Sequence, residues 1–314
     1  MDEPNAANGE QADPPETDAP APFNKPTADL ILRSSDRMNF RVRKAILAEA
    51  SPVFEDMFTF PLPQSPDEPA GSPPVVDMAE DGHTLEGLLS LCYPIRKMPI
   101  QSLEEATILL DAARKYSMDG ALTFLGDRLI DFAKAGPVRV YALATRYQLQ
   151  EEVVRAAAKA FLNIYIHNAH LKSLEDLNHI SASAYLRLLD YRDRCAAAAV
   201  RVFDTYTWID SSRWCWLSCG SSGCASGCAG PFKDGRHSRL AAWWEKMMSY
   251  CRKLVLANPC GEALASRSCT AVALAEAGKC NNCRSLAPHE LEGFMALLIN
   301  EVDKAVAQVE LDIV

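Results

Sequence analysis

The residues from Ala28 to Tyr93 constrain this chain most, because their turns, caps and apolar spacings run in one order: strand, turn, strand, two short helices, strand, helix. Leu30 and Leu32 alternate with Ile31 and Arg33, Ser34-Ser35-Asp36 supplies turn chemistry, and Met38, Phe40 and Val42 resume the period of two. That pattern predicts a two-stranded hairpin. Val42, Ala45, Ile46 and Glu49 then fall at helical spacing, and Ser51-Pro52 restarts the chain as an N-cap with proline at the first helical position. Val53, Phe54, Met57 and Phe58 are the expected buried face of the second helix.

Pro61 to Pro74 holds six prolines and a glycine and reads as a surface loop. Val75 and Val76 fit a short strand. Leu85, Leu88, Leu89 and Cys92 recur at i, i+3, i+4 and i+7, which predicts a helix from about His83 to Tyr93 stopped by Pro94. Ser102 and Glu105 form a capping box for a helix burying Ala106, Leu109, Leu110 and Ala113. Met118-Asp119-Gly120 breaks it, and Ala121, Leu122, Leu125, Leu129 and Phe132 line the next.

With these residues in place, the passage resembles the BTB/POZ domain, whose pattern is an Asp opening the first strand, "F.VHK..L...S..F..MF" and a later "L..L..Y.Y" helix. Asp29, Phe40, Val42, Lys44, Leu47, Ser51, Phe54, Met57, Phe58, Leu88, Leu89 and Tyr93 match, while Arg43 replaces the common His. Of these, Asp29, Phe40, Val42, Ser51, Phe54, Met57, Phe58 and Tyr93, together with Leu30, are expected at the core or interface of such a domain. The resemblance implies an α+β fold over residues 23–135, a small sheet flanked by helices, with a mostly α-helical region after it.

The chain has 314 residues, 48% of them hydrophobic, enough for more than one core. Its net charge of −9 is concentrated at the start: residues 1–22 hold six acidic side chains, five prolines and no Lys or Arg. A disordered acidic tail is expected there, since so little apolar surface cannot offset the entropy of ordering. No basic segment followed by an apolar run opens the chain, and no run is long enough to span a membrane. An intracellular protein, cytoplasmic or nuclear, is the expectation. In a reducing compartment its 11 cysteines read as buried thiols or metal ligands rather than disulfides.

From Pro137 to Phe203 the pattern is helical. Val140, Tyr141 and Ala144 share a face, Val153, Val154, Ala157, Ala158 and Phe161 another, and a longer helix is capped by Ser181 with Tyr185, Leu188, Leu189 and Cys195 as buried candidates. Residues 136–205 thus form a helical extension, and 206–314 a Cys-rich helical region. The words "LxYRxRCxxAA" from Leu189, a Trp-flanked cysteine cluster and a "CxxC" resemble BTB proteins of basidiomycete fungi.

Cys215, Cys219, Cys224 and Cys228 lie in a segment rich in Trp, Ser and Gly, and Cys280-Asn281-Asn282-Cys283 follows much later. Thiolates at such spacings share one tetrahedral Zn²⁺ when two distant half-sites meet. Cys219, Cys224, Cys280 and Cys283 are the preferred set, with Cys215, Cys228, Cys260, Cys269, His237 and His289 as substitutes.

Catalytic chemistry finds no footing. The six histidines form no HExxH pair, and "GSSGCASGCAG" ends without the Lys-Ser/Thr of a phosphate loop, so it reads as a flexible turn around cysteines. Glu104-Glu105 and Glu151-Glu152 sit in first turns of helices and complement the macrodipole. Trp243, Trp244, Met247 and Tyr250 recur at helical spacing, as core residues do. No C2H2 finger spacing occurs, and a pI near 5.3 offers no counterion-releasing surface, so nucleic acid is not an expected partner.

A non-enzymatic interaction protein is therefore expected. The resemblance implies association with itself or another BTB protein. It also implies two broader roles, an adaptor docking a cullin scaffold for a ubiquitin ligase, or a transcriptional corepressor platform. Cullin-binding members carry an apolar-x-Glu element after their third helix. Here Glu68 follows Ser65-Pro66-Asp67, with no large apolar residue two places before it.

Overall fold

The computed structural model describes residues 15–61, 72–164, 180–217, 219, 221 and 224–313. The chain divides into two compact units, Met1–Asp131 and Phe132–Val314. The Pro-rich segment 62–71, with Glu68 in it, lies outside the described residues.

The first unit is built on a four-stranded sheet of order β1-β3-β2-β4, formed by β1 (Thr17–Asp18), β2 (Leu30–Arg33), β3 (Met38–Val42) and β4 (Val75–Asp77). β2 and β3 make the expected antiparallel hairpin, with Leu30 opposite Val42 and Leu32 opposite Phe40, while β1 pairs in parallel with β3 and β4 in parallel with β2. Those four apolar residues are buried together because the period of two puts them on one face. β1 lies inside the stretch expected to be a disordered tail. Glu16 pairs there with Arg33, and the Ala19 N–H donates to the Asn39 carbonyl, so residues 15–22 gain partners that composition does not reveal. Residues 1–14 lie outside the described residues.

Helices α1 (Lys44–Ala50) and α2 (Pro52–Thr59) follow. The helix expected from the spacing of Val42, Ala45, Ile46 and Glu49 is α1, in which Leu47 is buried and Ala45 and Glu49 are exposed. Val42 still belongs to β3, so the helical phase begins two residues later than the pattern suggested. Ser51 caps α2 as predicted, its Oγ accepting from the Phe54 N–H at 3.1 Å and donating to the Tyr116 carbonyl at 2.5 Å. Phe54 is buried and stacks on Tyr116 with centroids 4.9 Å apart. Val53, Met57 and Phe58 are only half-buried, a correction, since an eight-residue helix turns just one narrow stripe inward.

Three helices complete this unit: α3 (Gly82–Cys92), α4 (Leu103–Lys115) and α5 (Asp119–Phe132). Gly87 of α3 lets Leu109 of α4 approach closely; a Cβ there would stand 2.9 Å from the leucine methyl. Ser102 caps α4 with Glu105 in its first turn, and the predicted face of Ala106, Leu109, Leu110 and Ala113 is buried.

The second unit is mostly helical: α6 (Pro137–Tyr147), α7 (Glu151–Phe161), α8 (Ala182–Arg201), α9 (Ala242–Ala257), α10 (Arg267–Ala277) and α11 (Asn281–Ala307). The faces predicted for α6 and α7 are buried, and Ser181 caps α8. On α8, Leu188 and Cys195 are buried while Tyr185 and Leu189 are half-buried. Arg192 is buried and donates to the carbonyls of Phe161 and Ala257, satisfying the C-terminal ends of α7 and α9. The flexible turn expected around Gly227 is instead an antiparallel pair, β5 (Ala225–Ala229) with β6 (Ser238–Ala241). Trp243, Trp244 and Met247 are buried as predicted, but Tyr250 is 42% exposed. No helix among the described residues is long and apolar enough to cross a membrane.

Candidate metal centre

Three elements of the second unit deliver four sulfurs to one point. Cys219 follows a 3-10 turn at Cys215–Leu217, Cys224 immediately precedes β5, Cys280 is the N-cap residue of α11, and Cys283 lies in its first turn. Cys219 Sγ and Cys280 Sγ are 3.6 Å apart, Cys224 Sγ and Cys283 Sγ 3.7 Å, and all four lie within 4.8 Å of one another. These separations are far longer than a disulfide bond. A tetrahedron of about 2.3 Å Zn–S bonds has edges of about 3.8 Å, so the sulfurs already stand near the corners of such a site. All four cysteines are buried, and all are free thiols.

The helix start explains how Cys280-x-x-Cys283 works as one half-site. The first N–H groups of a helix have no intrahelical partner. Here the backbone N–H of Cys283, and then that of Asn282, favour the Cys280 thiolate and bring its pKa down to about 6 against the effect of burial. Burial drives Cys283 the other way, up to about 11, and Cys224 is raised by burial and by its neighbouring thiols. A divalent cation would offset the cost of ionising these buried sulfurs.

Aromatic side chains pack the core of this unit, and one of them, Trp243, reaches the cysteines. Trp216 stacks on Trp214 at 5.3 Å and meets Trp243 and Phe294 edge-on, each at 5.4 Å. The Trp243 indole N–H is buried without a conventional hydrogen-bond acceptor, yet it lies where it favours the Cys283 thiolate. A thiolate on Cys283 would give that donor a partner, which fits a metal-bound sulfur better than a neutral thiol. Asn282 Nδ2 also lies 4.0 Å from Cys219 Sγ.

Among the described residues the structure gathers the preferred quartet, and of the substitutes only Cys215 lies beside it. Cys228 is exposed on β5, His237 and His289 are exposed, Cys260 contacts Asn163, and Cys269 sits in α10 beside Cys251. Cys215 is adjacent, its N–H donating to Glu290 Oε2 at 2.7 Å and its thiol raised by burial, Glu290 and Cys283. The supporting parts, Trp243, Glu290 and the α11 N-terminus, carry no spacing signal in the sequence.

In the first unit, Leu30, Phe40, Val42, Ser51 and Phe54 are interior. Asp29 is exposed and accepts the Lys44 N–H at 2.8 Å; half-buried Tyr93 accepts the Arg43 N–H at 2.7 Å and packs edge-on against Phe23. Met57 and Phe58 line the surface beside the core.

Residues 22–132 match the family model of the BTB/POZ domain. This part of the chain is a protein–protein interaction module. No curated protein matches the chain.

Proposed function

We propose that this chain is a non-enzymatic interaction protein, associating with itself or another BTB/POZ chain through residues 22–132 and holding a structural Zn²⁺ on Cys219, Cys224, Cys280 and Cys283. The family match over residues 22–132 carries the first part. The near-tetrahedral sulfurs, with the buried Trp243 donor beside them, carry the second. Four thiolates leave no open position on the ion, so it would bind no substrate; its role is to neutralise the sulfurs and clasp the Cys219–Cys224 segment to α11.

In this reading the chain acts as an adaptor in the cytoplasm or nucleus, the BTB/POZ unit meeting a cullin scaffold while the second unit carries a client. The second unit is taken as the kind found in BTB proteins of basidiomycete fungi. Sedimentation of the full chain at ~100 μM, where a contact of about −5.5 kcal/mol is half-formed, should report a dimer; a persistent monomer overturns self-association. Co-precipitation with a cullin supports the adaptor role. Capture of corepressors in its place moves the reading to a transcriptional platform. Elemental analysis of protein purified without added metal should find about one zinc per chain, and a metal-free chain whose thiols all titrate in the native state removes the site.

A further inference from the structure

A small cavity of about 220 Å³ in the first unit gathers three cations in a chain that is acidic overall. Lys25, Arg41 and Arg43 line it, with Ile46, Tyr93 and Ile95 among its other walls. Arg43 is held in place, its Nη2 donating to Thr27 Oγ1 at 2.9 Å and its backbone N–H to Tyr93 Oη at 2.7 Å. Lys25 and Arg41 form no ion pair and no side-chain hydrogen bond among the described residues, although Arg41 is half-buried. The carboxylate of Asp29, at the same corner, accepts the Lys44 N–H and pairs with none of the three.

From this arrangement we infer that the cavity is a binding site for an acidic peptide segment, one carboxylate meeting Arg41 and Lys25 and a neighbouring aliphatic side chain lying against Ile46 and Ile95. A half-buried guanidinium without a partner is poorly solvated, and a carboxylate brings it charge-assisted hydrogen bonds. The apolar walls select a peptide over a bare anion. Three cations in one concavity, rather than a stripe along a surface, do not track a nucleic-acid backbone. The inference does not rest on the self-association proposed above.

The test uses the full chain and a labelled eight-residue peptide alternating glutamate with leucine, followed by fluorescence anisotropy. The peptide should bind and its glutamine counterpart should not. Arg41→Gln should weaken binding about tenfold, the size of one lost hydrogen bond to a charged group, and Lys25→Gln should weaken it further. Because the Arg41 guanidinium has no ion pair or hydrogen bond among the described residues, the melting temperature of Arg41→Gln should match that of the parent, which separates lost binding from lost folding. Arg128→Gln, on α5 and paired with Asp131, should leave binding unchanged. Equal affinity for the glutamine peptide, indifference to Arg41→Gln and Lys25→Gln together, no binding at ~1 mM peptide, or displacement by a single-stranded oligonucleotide would each overturn the inference.

Discussion

Cys224 and Cys283 are fifty-nine positions apart in the chain, and their sulfurs lie 3.7 Å from each other in the buried core of the second unit. Unoxidised thiols held at that distance gain little from one another. The contact gains its value only if a cation draws both as thiolates, and the consequences of that can be measured.

Cys283→Ser should release the metal and destabilise the second unit while the first keeps its own melting transition. Cys228→Ser, which alters an exposed thiol, should retain metal and melt like the parent. A chelator added to the parent should reproduce the Cys283→Ser profile. Scanning calorimetry with and without chelator separates the two units, and a single unchanged transition in every sample argues against the clasp.

Phe54→Ala should cost about 3–5 kcal/mol, since the ring is buried against Tyr116 and its loss opens a core cavity. Met57→Ala should cost clearly less, about 1 kcal/mol, because part of its surface is already in water. Urea unfolding of both variants checks the phase of α2, and equal costs would place the helix differently.

Glu80 links stability of the first unit to pH. Burial raises its carboxyl, but hydrogen bonds from Lys115 Nζ and Tyr116 Oη, each 2.7 Å, outweigh that and hold it below the ordinary value of 4.5. With the folded pKa the lower one, the stabilisation is fully present above pH 4.5 and is lost as pH falls through the folded value. Glu80→Gln should therefore cost about 2 kcal/mol near pH 7. The parent and variant curves should converge in acid. Melting temperatures across that range test the sign, and a gap that widens toward acid refutes it.

Arg192→Met should destabilise the second unit by about 2–4 kcal/mol, because it orphans the carbonyls of Phe161 and Ala257 at two helix ends. Arg192→Lys should recover only part of this, since a single ammonium cannot reach both carbonyls as the guanidinium fork does. Thermal melts of the two variants rank them.

Local chemistry was enough for much of this protein. Period two in Leu30, Leu32, Phe40 and Val42 marked the hairpin, Ser51, Ser102 and Ser181 marked helix starts, and cysteine spacing selected the quartet that the structure gathers. Each of those signals acts within a few residues, where a cap or an alternating face leaves little choice. Other features depended on partners far along the chain. The strand at Thr17–Asp18 exists because β3 offers an open edge, the phase of α1 is set by Val42 remaining in the sheet, and Ala225–Ala229 is extended because Ser238–Ala241 runs beside it. The charge environment of the sulfurs was divided between the two: the α11 backbone beside Cys280 is local to the Cys-x-x-Cys pair, whereas the Trp243 indole reaches Cys283 only after the chain has closed, and spacing carries no record of that donor.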